Sequence, residues 1–254
     1  MRGIDARHYW LSARFERREG WDAASYPFNL PVVQNLDELA FHPKVTFLVG
    51  ENGSGKSTLI EALAVAWGFN PEGGSRNFHF GTRPSHSKLH QFVRPVRSSK
   101  RARDGYFLRA ESYFNVGTQI EALDSEPGGP PIIGSYGGVS LHEQSHGESF
   151  FALLKNRFGG SGLYILDEPE AALSPNRQLS FLSLLHGLVR KNSQFIIATH
   201  LPIILSYPDA WIYQTTATGL QRIEYEDSEH FQVTRSFLNR RQTLLDVLLS
   251  EDDD

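Results

Sequence analysis

The apolar positions of this chain follow two periods. HYWLSARFER (8–17) alternates large and polar residues and predicts a strand. KVTFLVG (44–50), GLYILDEPE (162–170) and QFIIATH (194–200) are short, nearly continuous apolar runs rich in β-branched and aromatic residues, the signature of strands buried on both faces, and GYFLRAESYF (105–114) also reads as a strand. Between them the period lengthens. STLIEALAVAWG (57–68) has helical spacing with Gly68 as its stop, SFFALLKNRF (149–158) reads as a helix, and LSPNRQLSFLSLLHGLVRKN (173–192) offers Ser174 as N-cap and Pro175 at the first helical position. AWIYQTTATGLQRIEY (210–225) predicts a hairpin and TRSFLNRRQTLLDVLL (234–249) closing helices, while SEPGGPPIIGSYGG (125–138) reads as a loop and 70–105 as an irregular stretch. Buried strands alternating with helices predict an α/β domain built on a mostly parallel sheet with helices on its faces.

Composition narrows the setting. The chain has 254 residues, 40% of them hydrophobic, which suffices for one large α/β domain. It contains no cysteine, which excludes disulfides and thiolate metal sites. The formal net charge of −4 argues against coating nucleic acid by bulk charge. There is no apolar run long enough to span a bilayer and no apolar core of a signal peptide after Met1, so a cytoplasmic protein is expected. The acidic end EDDD is expected to fray.

Chemistry concentrates at the ends of the buried runs. Gly50-Glu51-Asn52-Gly53-Ser54-Gly55-Lys56-Ser57, followed by Thr58, fits G-x-x-x-x-G-K-[ST], the Walker A pattern, and sits between a predicted strand and a predicted helix. Glycines let the backbone curl around an anion with its N–H groups inward, and the helix points its positive end at the same place. Lys56 then reaches the β- and γ-phosphates and Ser57 can ligate Mg2+. The apolar strand LYIL ends in Asp167 and Glu168, the Walker B arrangement: Asp167 to hold Mg2+, Glu168 to orient and deprotonate an attacking water. Pro169 stops the strand.

GENGSGKST, SHGES (145–149), LYILDEPEAALS and ATH stand in one order. In this the chain resembles ATP-binding-cassette (ABC) type P-loop ATPases, and among them the compact, transporter-free ATPases labelled predicted bacterial AAA-type ATPases, from about Val45 to about Tyr213. The resemblance implies one ABC-type domain over residues 1–254. Its nucleotide-binding core would comprise roughly 1–69 and 160–254, with an antiparallel N-terminal β part, and roughly 70–159 would form an arm and a small helical signature subdomain. It also implies that Ser145, Gly147 and Glu148 match the signature motif that caps the γ-phosphate held by an opposite subunit. AALS (171–174) would be the D-loop, and His200 the switch histidine acting with Glu168 and Lys56 in catalysis. The expected activity is hydrolysis of MgATP in an ATP-dependent head-to-tail homodimer. His146 stands where the family's pattern has glycine, which argues against an ordinary transporter subunit.

Several positions stay open. The Q-loop glutamine has no match: Glu111 and Ser112 close the strand, with Gln91 and Gln119 as neighbours. Tyr26 and Phe28 are candidates to stack on adenine, and either is equally what a core would contain. Lys88, Arg94, Arg97, Lys100, Arg101 and Arg103 make a local basic segment suited to phosphate backbones, to an acidic partner or to a solvated loop. The cycle's load is correspondingly open among an effector, a separate membrane subunit and nucleic acid.

Overall fold

The computed structural model describes residues 8–75, 87–109, 117–118, 121–122, 124–125, 133–134, 138, 146–169 and 173–250. A seven-stranded sheet forms the centre, in the order β10-β9-β3-β8-β7-β6-β4. Its strands are β3 (Val45–Val49), β4 (Gly74–Ser75), β6 (Asp104–Arg109), β7 (Gly162–Asp167), β8 (Gln194–Ala198), β9 (Ala210–Thr216) and β10 (Gly219–Ile223). The five strands β9, β3, β8, β7 and β6 run parallel, and only the edge strands β10 and β4 are antiparallel to their neighbours. The hairpin expected over 210–225 is present, and its first strand is also an integral parallel strand of the sheet. A second, antiparallel sheet of order β2-β1-β5 comprises β1 (Trp10–Phe15), β2 (Glu38–Ala40) and β5 (Val93–Arg97).

The apolar runs of the central strands are continuous because each strand feeds two cores. Val45, Phe47, Tyr164, Leu166, Phe195 and Ile197 point to one face, and Leu48, Leu163, Ile165, Ile196 and Ala198 to the other. After the short α1 (Pro31–Gln34), helix α2 (Lys56–Trp67) covers the second face, where Leu59, Ile60 and Leu63 pack beneath the antiparallel sheet and Trp67 stacks on Trp10 at 4.9 Å. The first face is covered by α3 (His146–Asn156), α4 (Pro175–Arg190) and α5 (Pro202–Leu205). Two further helices, α6 (Glu229–Asn239) and α7 (Arg241–Leu248), close the described chain, and neither buries a residue fully. None of the described helices is long and apolar enough to cross a membrane.

Local signals hold at most element ends. Gly68 caps α2 in the left-handed conformation, φ 111°, its N–H donating to Ala64 O. Ser174 precedes Pro175 at the head of α4 as expected, but its side chain makes no capping hydrogen bond. Strand β5 lies inside the stretch expected to be irregular. It contains Pro95 and alternates with arginines, a composition that a central strand would reject; as an edge of the small sheet it tolerates the missing N–H. Strand β6 comes from within the expected arm and is a member of the central sheet.

Gln194 joins the two sheets. Fully buried at the start of β8, it accepts from the N–H of Tyr9 (3.0 Å) and of Trp10 (2.9 Å), and its amide donates to Trp10 O (2.9 Å) and His42 O (3.1 Å). One side chain therefore satisfies four backbone groups. Gln194→Ala is expected to leave them unpaired and to lower the unfolding free energy by about 3 kcal/mol in urea titrations. A loss below ~1 kcal/mol would mean that water replaces the staple.

Candidate active site

The parallel register sets the site. Leu48 lies beside Ala198, Ala198 beside Asp167, and Asp167 beside Arg109, so β3, β8, β7 and β6 end together. Ligands of open α/β sheets bind beyond such carboxyl ends. The phosphate-loop motif follows β3, the two acids follow β7 and His200 follows β8. Because β8 lies between β3 and β7, His200 emerges between the loop and the acids.

The loop is curled as its glycines allow. Gly50, Gly53 and Gly55 have φ of 150°, 78° and 93°. A Cβ on Gly50 would fall 1.6 Å from Thr215 Oγ1, and one on Gly55 would fall 2.8 Å from Val32 Cγ1. Glu51, Asn52 and Gly53 form the exposed crest. Lys56 is buried, with Nζ donating to Gly50 O (2.9 Å) and Glu51 O (2.8 Å), so the ammonium is held inside the curl. Gly55 gives α2 no side-chain cap, and the first turn carries no acid, so that helix end keeps its positive character. Ser54 Oγ is buried with no hydrogen-bond partner. An orphaned hydroxyl, an uncapped helix end and a caged ammonium together fit a polyphosphate.

A divalent cation fits the same place. Ser57 Oγ donates to Asp167 Oδ1 at 3.3 Å, which brings two hard oxygen ligands together beside the loop. Mg2+ takes few protein ligands of this kind and completes its shell with substrate phosphates and water.

Glu168 has a left-handed backbone, φ 49°, which is rare for a side chain of this type. Its N–H donates to Ala198 O at 3.0 Å. The carboxylate accepts from His200 Nε2 at 2.9 Å, and His200 Nδ1 lies 3.4 Å from His230 Nε2. Burial, then the neighbouring His200, holds the His230 pKa below its usual value, which keeps its ring neutral near pH 7. His230 was not among the sequence candidates. The helical pattern is weak at its start, and α6 begins at Glu229, five residues before the segment read as helical. No local motif marks the residue.

The structure thus brings Lys56, Ser57, Asp167, Glu168 and His200 to one edge. Thr58, one turn into α2, lies 3.1 Å from the hydroxyl of Tyr26. The two aromatic candidates separate: Tyr26 is 62% exposed, whereas Phe28 is buried among Trp21 and Phe92. Gly147 is buried and Glu148 exposed in the first turn of α3, where Glu148 faces Arg177 of α4 at 4.0 Å. Ser145, the His146 side chain, Glu111, Ser112, Gln119, Ala171 and Ala172 lie outside the described residues. Gln91 sits on a short 3-10 turn, Lys88–Phe92, and its carbonyl accepts from Arg18.

Residues 26–122 match the AAA domain family. No curated protein sequence matches the chain. Among solved structures, the chain is similar to an ATP-binding subunit of an ABC transporter (16% identity, 95% of this chain and 100% of that one, TM-score 0.48). It is also similar to cbiO1 of the ABC transporter complex cbiONQ of Clostridium perfringens (18%, 82% and 90%, TM-score 0.47) and to the SMC head domain of Thermotoga maritima (19%, 74% and 93%, TM-score 0.39). The fold is α/β, a mostly parallel sheet with helices on both faces, and the AAA-domain match covers the phosphate loop and the helix that follows it.

The close approach at Gly55 gives a direct test of the loop. In Gly55→Ala the loop relaxes the left-handed strain and the contact with Val32 by leaving its curl. MgATP affinity, read by fluorescent-nucleotide titration, is expected to fall about tenfold or more. Unchanged affinity would show that the curl is not the binding conformation.

Proposed function

We propose that this protein hydrolyses MgATP at a site shared between two copies of the chain, and that the resulting closure and opening drives a partner. The observation carrying this reading is the convergence of Lys56, Ser57, Asp167 and the Glu168–His200 pair at the ends of three adjacent parallel strands. Lys56 would exchange its carbonyl partners for the β- and γ-phosphate oxygens, and the loop N–H groups with the head of α2 would bind the rest of the chain of phosphates. Ser57 and Asp167 would hold Mg2+, which supplies positive charge to the phosphates. Glu168 would orient the attacking water and take its proton, as His200 donates from Nε2 to a γ-phosphate oxygen. Tyr26 is the exposed aromatic suited to stack on the base.

Layering supports the second copy. Helix α2, which carries the loop, covers one face of the sheet, and α3, which carries Gly147 and Glu148, packs into the core of the other. Ser145, Gly147 and Glu148 would therefore serve the nucleotide of the opposite subunit, with the positive end of α3 directed at its γ-phosphate.

A second reading, in which the load is nucleic acid, is favoured by the loop between β5 and β6. Arg97, Lys100 and Arg101, with Ser98 and Ser99, line a hollow of about 610 Å3 at the amino end of β6, the sheet edge opposite the site. Arg97 stacks on Trp67 at 4.3 Å and donates to Trp67 O at 3.1 Å, and Lys100 lies over Tyr9 at 5.3 Å, so aromatic rings support both cations beside the hollow.

Glu168→Gln is expected to keep ATP bound and to shift the protein from monomer to dimer in MgATP, measured by size-exclusion chromatography with light scattering. A monomer at saturating MgATP sinks the shared site. For the second reading, DNA binding followed by anisotropy should weaken steeply with salt, and Lys100→Gln with Arg101→Gln should reduce the log–log slope by about 2. No binding at low salt removes nucleic acid as the load.

A further inference from the structure

We propose that His230 is a positioning residue for His200: it fixes the ring orientation and tautomer of that histidine, and so ties the C-terminal helices to the catalytic edge. The inference rests on His200 acting as the donor described above.

The argument is one of proton inventory. An ionised carboxylate only accepts hydrogen bonds, so the 2.9 Å contact with Glu168 requires the proton of His200 to be on Nε2. A neutral His200 then has a lone pair at Nδ1. The atom facing it at 3.4 Å is His230 Nε2, which must donate if the contact is to be favourable. His230 Nδ1 is buried without a hydrogen-bond partner, so the arrangement that places its lone proton there would bury an unsatisfied donor. Placing that proton on Nε2 instead satisfies His200. The two tautomers are thereby locked in series, with each proton pointing toward Glu168. Rotating or reversing the His200 ring would break both contacts.

The position of His230 is set by the start of α6. Ser228 is fully buried, with its hydroxyl donating to Tyr225 O at 2.7 Å. Tyr225 donates to Pro202 O at 3.1 Å and packs its ring 4.6 Å from Phe231. Pro202 opens α5, two residues after His200. The chain segment that leaves the site thus returns to hold the helix whose first turn supports it. A displacement of α6 reaches His200 without touching the nucleotide.

The test compares His230→Ala with His230→Gln, whose side-chain amide can present an N–H near the place of Nε2. In His230→Ala, kcat for ATP is expected to fall about tenfold with KM unchanged, because the donor is misaimed and nucleotide binding is not. His230→Gln is expected to recover most of the rate. In parallel, 15N spectra of histidine-labelled protein should show His200 as the Nε2–H tautomer in the wild type and as a mixture in His230→Ala. Wild-type kcat and an unchanged His200 spectrum in His230→Ala would overturn the proposal. Equal impairment of both variants would overturn it too, since the imidazole would then be filling space. If the wild type hydrolyses no ATP, the functional reading fails and the spectra still decide the contact.

Discussion

The site depends on one constraint: β3, β8 and β7 must lie parallel and end in register. Each strand delivers one kind of chemistry just past its last residue: the phosphate-loop motif after Val49, the histidine after Ala198 and Thr199, the acids at Asp167 and Glu168. A one-residue slip would invert the two faces of a strand and would also move its terminal group by more than 3 Å. Because the side chains of these strands alternate between two separate cores, a slip would mispack both of them. Core packing thereby specifies the geometry of the candidate site.

The phosphate loop shows the opposite economy. Its conformation is unfavourable for ordinary residues, and no side chain caps the helix that follows. The curl persists because its surroundings leave it no room: Thr215 of β9 crowds Gly50, and Val32 and Leu30 crowd Gly55. Lys56 links the first two residues of the curl from inside. The left-handed backbone of Glu168 is held differently, by its N–H donating to Ala198 O at the end of β8. A loop prepared in this way needs little reorganisation when an anion arrives, the condition under which electrostatic stabilisation is most effective.

Legibility in the sequence follows the range of each signal. Continuous apolar runs and the glycine-lysine motif are local, and they place the central strands, α2 and the Lys56–Ser57 and Asp167–Glu168 pairs. Strand β5 was illegible because Pro95 and its arginines are acceptable only at an edge, and which strand is an edge is a property of the whole sheet. Gln194 looks like the polar start of an apolar strand; its four bonds to residues at the far end of the chain emerge only from the fold. Tyr26 and Phe28 have similar side chains two positions apart, and packing alone sends one outward and the other into an aromatic cluster. His230 too lies thirty positions from its partner and carries no motif.

That last residue bears on how events at the proposed nucleotide site would reach the surroundings. Helices α6 and α7 bury no residue fully, and Val233, Leu238, Val247 and Leu248 are each more than 60% exposed. Elements with little buried apolar area open at low free-energy cost compared with the core. Their attachment is concentrated at the head of α6, in Ser228, Tyr225 and Phe231, next to the contact between His230 and His200. A lightly anchored helix is therefore fastened beside the constrained Glu168–His200 contact. Under the proposed function, changes at His200 would act on a helix that is cheap to move, and forces on that helix would act back on His200 by the same contact, since coupling of two equilibria is reciprocal.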